Sequence, residues 1–353
     1  MKKLLTSLLL ALPCFLAAQI YSYPLVDSLP NDAQVYHLPK TGLNLCFAIR
    51  HLQETPGELA RYAERFLGQS DIITEAQNTQ EIVSVEVCSY TIADQDMRFY
   101  ITAPAKTYCN KDGILLAVNA KAQASENSDP ITLCHQNRKA KKSRLSSQAY
   151  LTQEMKLANS SMKMAELAAR QIFSIRETRL ALLHGELENY PSDGEGFKKF
   201  LQELNNMEQQ YLELFIGSRQ EEVYQCHVQF VPNKDSNHEV VCRFSSQSGL
   251  LDKNDLSGRP IYCLIESNRQ NIVQTPDTIS IRGKKRTEII KKEEPAGLYY
   301  YQPEMVSISL KDGQQTLWKK DMMLAQMGQL LRLKSSKDMS VVLDAESGAI
   351  ISR

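Results

Sequence analysis

Few side chains in this sequence stand at spacings that do chemistry. Eight cysteines are the most reactive group, and seven of them (Cys46, Cys88, Cys109, Cys134, Cys226, Cys242 and Cys263) lie beyond the first 18 residues. No C-x-x-C pair occurs, so the basic spacing of a zinc ribbon or thioredoxin-type site is missing. Cys226 and Cys242 lie on two strand-like runs flanking a loop, Pro232 to Asn237. In one hairpin register they face each other and form a cross-strand disulfide. In other registers they are small buried hydrophobes. Cys134 is followed by His135, but two further ligands for a metal are not in view. His37 and His51 have no partner at ligand spacing, and His184 stands before Gly185, where a cation complements a helix dipole. The acidic pairs Glu221-Glu222 and Glu293-Glu294 would point to opposite faces of a strand and could not share a substrate. There is no G-x-S-x-G elbow, H-E-x-x-H, Walker loop or dinucleotide fingerprint. The sequence therefore assigns no catalytic, cofactor-binding or metal-ligating residue. Carboxylates distant in sequence could still converge, as in a glycosidase.

The remaining candidates depend on the elements that hold them. The chain is organised around Gln171 to Gly217, read as two amphipathic helices joined at Pro-Ser-Asp-Gly. Ser192 and Glu195 have capping-box spacing, and Pro191 stops the preceding helix. Apolar residues then recur at Phe197, Phe200, Leu201, Leu204, Met207, Tyr211, Leu214 and Phe215, a stripe of helical period. Gly217 suits a left-handed cap. The first helix carries Met164, Leu167, Ala168, Ile172, Ile175 and Leu182, with Arg179 and Glu186 on or beside the same face. Antiparallel packing puts Arg179 near Gln202, within one turn of Glu203. Arg179, Glu186 and Glu203 are thus candidate seam residues, with a register-fixing ion pair favoured over a polar site.

This region resembles a secreted Bacteroidetes family known as domain of unknown function 4831. The matching residues include Thr178-Arg179, Leu182-Leu183, Gly185-Glu186, Pro191, Asp193-Gly194, Leu201, Leu204, Glu208 and Leu214-Phe215 with Gly217. Tyr36 to Thr41, Pro56-Gly57, Tyr62-Ala63-Glu64, Arg243-Phe244-Ser245, Gly249-Leu250, Ala325 to Gly328 and Ser347-Gly348 are similar to it as well. The resemblance covers nearly the whole chain, in order, and implies no activity, cofactor or catalytic residue.

Around the helices the chain divides by composition. Residues 1–18 read as a signal peptide: Lys2 and Lys3, an apolar run from Leu4 to Leu16, then Ala17-Ala18. No later stretch reaches the roughly 20 apolar residues of a membrane-spanning helix. An N-terminal β-unit (19–120) has alternating Leu43, Leu45, Phe47 and Ile49, a short helix from Glu58 to Phe66 ended by Gly68, and runs Glu81–Ile92 and Met97–Thr102 linked as a hairpin. Residues 121–152 are a polar linker whose basic cluster, Arg138 to Arg144, lacks interleaved aromatics and is read as solvated. Residues 218–353 show short strand-like runs at spacings near ten, as in an antiparallel sandwich or barrel. Trp318 is expected between sheets. Tyr299, Tyr300 and Tyr301 are a candidate stacking platform for a sugar or peptide, although strand alternation buries some of the three in any case.

The expected fold is α+β: two β-rich, sandwich-like domains connected by a long antiparallel helical hairpin (153–217). Forty-one basic and 41 acidic residues cancel, so no long-range field draws nucleic acid or anionic lipid. The leading expectation is an exported envelope protein, periplasmic or at the cell surface, acting as a non-catalytic binding or assembly module for a protein or glycan. The alternative is a hydrolase of a cell-wall or dietary polymer, which needs converging ionisable groups in one pocket. A third option is oligomerisation through the helices, which requires an apolar strip left uncovered. Composition leaves the oligomeric state open.

Overall fold

The computed structural model describes residues 20–25, 28–102, 105–121, 151–186, 194–233, 238–267, 278–280, 297–335 and 339–353. The expected signal peptide (1–18), most of the expected linker with Cys134, the expected turn at Pro191 and Ser192, and Glu293-Glu294 lie outside those residues.

The fold is β-rich, and two long antiparallel pairs run through it. Strands β2 (Gln34–Thr55) and β3 (Gln77–Ile101) form the first pair. Together with β1 (Ser22–Pro24) and β6 (Ser218–Phe230) they make a sheet ordered β1-β3-β2-β6. Strands β11 (Leu298–Asp312) and β12 (Gln315–Leu333) form the second pair, turning at Gly313. They lie in a six-stranded sheet with β7 (His238–Ser245), β8 (Gly249–Leu251), β9 (Arg259–Ser267) and β10 (Thr278–Ser280). A small third sheet joins β4 (Thr107–Cys109) and β5 (Leu115–Val118) to β13 (Val341–Leu343) and β14 (Ile350–Ser352).

This pairing corrects the expected division into an N-terminal and a C-terminal β-domain. β6 is bonded along its length to β2, and β13 pairs with β5. The cores are shared in the same way. Tyr36, Leu38, Phe99 and Ile101 pack with Tyr299, Leu331 and Val341 in one. Leu43, Leu45, Phe47 and Ile49 pack with Phe244, Ile261, Val306 and Ile308 in the other. Each buried side chain of this size contributes roughly 1.5–3 kcal/mol, and here it does so across the whole span of the chain. The boundary between cores cuts across the long strands instead of falling between segments. There, buried Thr41 and Gln326 lock β2 to β12: the Thr41 amide donates to Gln326 Oε1 (2.9 Å), the Ala325 amide donates to Thr41 Oγ1 (3.1 Å), and Gln326 Nε2 donates to the Thr41 carbonyl (2.8 Å).

A second correction has a local cause. The link from Ala93 to Asp96 does not reverse the chain. β3 continues through it with an irregular register, Pro39 pairing with Ala93 and His37 with Arg98. Buried Asp94 accepts from the Asp96 amide at 3.0 Å, which lets the strand bulge without turning back. The runs on either side of Pro303 likewise merge into one strand through a shift between Gln302 and Glu304.

The helices build a third core. At the tip of the β2–β3 pair, a 3-10 turn (Ala60–Tyr62) leads into α1 (Ala63–Leu67), which Gly68 ends with φ 65°. α2 (Gln153–Lys156) and α3 (Ser161–His184) are capped by Thr152 and Ser160 side chains that accept from Met155 and Lys163 amides. α4 spans Gly194–Ile216. Leu59 and Ala63 pack with Ala165, Ala168, Ile172 and Ile175 of α3 and with Leu204, Tyr211, Leu214 and Phe215 of α4. The stripes expected on both helices are therefore their packed faces.

Candidate functional site

Two ionic groupings sit on α4. The first is the seam with α3. Glu208, its side chain 10% exposed, accepts from Arg176 Nε at 2.6 Å and from Arg179 Nη1 at 2.5 Å. Arg179 Nη1 also donates to Asn205 Oδ1 at 3.0 Å. Burial alone would raise the Glu208 carboxyl, but the hydrogen bonds and charges of the two guanidiniums outweigh it and hold it below the usual glutamate range. Of the expected seam residues only Arg179 takes this role. Glu203 is exposed, about one turn from Glu208. Glu186 lies past the end of α3, 3.7 Å from His184 Nδ1, with both side chains mostly exposed. The helices are offset by about one turn from the register expected, because the packing of large apolar residues sets the register, not the turn length alone.

The second grouping is a cleft of about 610 Å³ where the C-terminus of α4 meets the tip of the β2–β3 pair. Backbone bonds build it. Leu59 and Ile73 amides donate to Leu214 and Ile216 carbonyls at 2.8 and 2.9 Å, occupying acceptors that a helix end leaves open. Gly217 ends α4 with φ 87° and its amide donates to the Glu213 carbonyl at 3.0 Å. A Cβ there would stand 2.5 Å from the Thr55 carbonyl oxygen, so only glycine fits. The lining carries four carboxylates, Glu54, Asp71, Glu75 and Glu213, and one guanidinium, Arg219. Arg219 is committed: its Nε and Nη2 both lie 2.7 Å from Glu54 Oε1. Asp71 and Glu75 are exposed. A cleft with this balance suits a cationic or hydroxyl-rich ligand. Its acids come from positions 54, 71, 75 and 213, and no local spacing in the sequence signals that they meet.

The sequence profile of a family described as a domain of unknown function matches residues 33–351, from just before β2 into β14. The chain belongs to that family, DUF4831. No curated protein and no solved structure matches it.

In this DUF4831 chain the three tyrosines do not form a platform. Tyr299, Tyr300 and Tyr301 are all buried, because both faces of β11 are covered at that point. Tyr299 stacks on Phe99 with ring centroids 4.7 Å apart, and its carbonyl accepts from Tyr36 Oη at 3.2 Å. Burial, reinforced by the charge of Asp94, pushes the Tyr301 hydroxyl well above its ordinary range. Trp318 is half-buried against the core between the two larger sheets.

The cysteine expectations also change. Cys226 and Cys242 do not form a disulfide: Cys242 is a free thiol, pushed up to about 12 by burial and then by the charge of Asp312. The hairpin that would have paired them is absent because β6 bonds to β2 whereas β7 bonds to β8 and β9. A different juxtaposition appears on the first sheet, on the face turned away from its core. Buried Cys46 is the register partner of Glu86 on β3 and of His227 on β6, both exposed. Side chains so paired stand about 5 Å apart at Cβ. This row places a thiol between a carboxylate and an imidazole, and only the sheet order could reveal it. Among the described residues no group of three His, Cys, Asp or Glu is arranged to hold a metal ion, and no helix is long and apolar enough to cross a membrane.

Proposed function

We propose that this DUF4831 protein is an exported cell-envelope component, periplasmic or at the cell surface, that binds a protein or glycan partner without transforming it. The export reading rests on the leader pattern of residues 1–18. The binding reading is carried by the acidic cleft: its carboxylates are mostly solvated, and the most sheltered, Glu54, has its oxygen engaged by Arg219. A carboxyl that must deliver a proton to a leaving group is normally housed in apolar surroundings. Here the surroundings are polar and open, the setting of recognition by charge and hydrogen bonding.

Four carboxylates in one cleft also favour the hydrolase as a second reading. Both readings are tested by one pair of measurements on residues 19–353, comparing the native chain with Asp71→Asn/Glu75→Gln/Glu213→Gln. On arrays of cell-wall and dietary glycans and of basic peptides, the binding reading expects native retention that falls at least tenfold in the triple variant, with no new reducing ends released from the bound polymer. Release of product by the native chain, lost in the variant, would replace binding by hydrolysis. Equal retention of both chains would remove the cleft from the function.

A further inference from the structure

Among the described residues six strands end a sheet, and five of them, β1, β4, β8, β10 and β14, are three residues long. Edges that short offer little backbone for another strand to join. The sixth, β6, has 13 residues. It pairs with β2 from Leu43–Phe230 to Thr55–Ser218 without a register shift, and among the described residues no strand joins its other side. Proline, lysine and bulges are the usual guards of an exposed edge, and β6 has none of them. The long strands that overhang short neighbours are guarded. β3 is interrupted by register shifts, and its Gln80 amide donates to the Ser246 carbonyl at 2.6 Å. β12 has Lys319 and Lys320 exposed on its open stretch.

The geometry points to an extended, basic peptide segment of a partner protein as the occupant of this edge, added antiparallel to β6 with its C-terminal residues in the acidic cleft. This rests on the binding reading of that cleft and names the partner's chemistry. A strand edge recognises extended backbone through its row of N–H and C=O groups, so the class of ligand follows from the edge itself. The charge follows from what adjoins it. Ser218 and Arg219, the first residues of β6, line the cleft, so a strand running antiparallel to β6 from the Phe230 end arrives there. Asp71 and Glu75 in the cleft, and Glu222 on β6, are exposed and make no ion pair among the described residues. Arg219 is held by Glu54 and does not offset them. Tyr224, Val228 and Phe230 are half-buried at the margin of the core that contains Phe47 and Phe244, so apolar side chains at alternate positions of the added strand extend that core. A second copy of β6 is a poorer occupant, because it would bring Glu221 and Glu222 to an edge that is already acidic.

The probe is an acetylated peptide of three Thr-Val repeats followed by two lysines, titrated from about 1 μM to about 1 mM against residues 19–353. It is expected to bind and to slow amide exchange in residues 219–229. Two versions, N-methylated at every valine or at every threonine, keep the charge, and only one set of amides can face β6. One version is expected to bind about tenfold more weakly for its lost hydrogen bonds, and the other to bind nearly as well. Asp71→Asn/Glu75→Gln/Glu213→Gln, which leaves the edge intact, is expected to weaken binding about tenfold, as is moving the lysines to the peptide's N-terminus. Equal binding of both methylated versions, with affinity still lost in the triple variant, overturns the edge and leaves the cleft reading standing. Loss on methylation with no loss in the triple variant overturns the run into the cleft. A native chain that binds none of these peptides overturns the inference even where the cleft retains a glycan. Slowed exchange in residues 219–229 that grows with protein concentration and needs no peptide overturns it in favour of a second copy.

Discussion

Glu208 and Glu213 are five residues apart on the same helix and meet opposite electrical surroundings. At Glu208 two guanidiniums converge on one carboxylate that is 10% exposed. Around Glu213 four carboxylates share a cleft with one guanidinium, already taken by Glu54. The first arrangement neutralises its anion and fixes two helices in register. The second leaves surplus negative charge facing water, which costs stability unless something cationic or strongly hydrogen-bonding arrives. The same residue type thus stands between two cations in one place and beside three other acids in the other.

The contrast breaks most readily at the seam. Glu208→Ala leaves two guanidiniums without their shared acceptor. Removing one partner of a fully buried pair costs about 3–5 kcal/mol, and because these arginines are about a third exposed about 2–3 kcal/mol is expected, read as a lower urea midpoint. At the cleft, Gly217→Ala combines a left-handed backbone with a Cβ 2.5 Å from the Thr55 oxygen. It should cost about 2 kcal/mol and reduce ligand retention at the same time, whereas Glu208→Ala should spare retention in the fraction still folded. The pH response sharpens the comparison further. A carboxyl held low in the folded state adds stability above its unfolded value, about 4.3 for glutamate, and loses it as pH falls through the lower folded value. Unfolding midpoints measured from about pH 6 down to about pH 3 should therefore fall less steeply in Glu208→Gln than in the native chain. Arg219→Ala breaks an ion pair in which the arginine is 66% exposed, and should change stability by less than about 1 kcal/mol. Asp71→Asn/Glu75→Gln should move the midpoint by less than about 0.5 kcal/mol while weakening ligand retention. A loss of stability there as large as at Glu208 would erase the distinction between the two groupings.

Local patterns were readable where the physics is local. The alternation at Leu43, Leu45, Phe47 and Ile49 identified a strand with one buried face, the stripe on α4 identified its packed side, and Gly68 and Gly217 marked helix ends. Partner choice was not readable. Nothing in the run from Arg219 to Phe230 says that it bonds to residues 43–55 and not to the run that follows it, because either choice buries one apolar face. The Asp94 bulge looked like a turn for a related reason: a short acidic segment between two strands is compatible with reversal or with continuation, and the β2 partner selects continuation. Strand alternation accounts for only part of the tyrosine run as core, because alternation on one strand cannot anticipate a strand covered on both sides. The helical stripe puts Arg179 on the seam, but its carboxylate partner is Glu208, about one turn beyond Glu203 along α4.

Since β2, β3, β11 and β12 each run through both β-cores, neither β-core is complete without strands from both ends of the described chain. Ile20 donates to Ser335, 315 positions later. Residues around Ile20 must therefore wait for residues about Ser335 before their contacts exist, and contacts so distant in sequence slow folding. A polypeptide cut near residue 120 or 218 is expected to give fragments that do not fold separately, which the far-UV spectra of the isolated fragments would check.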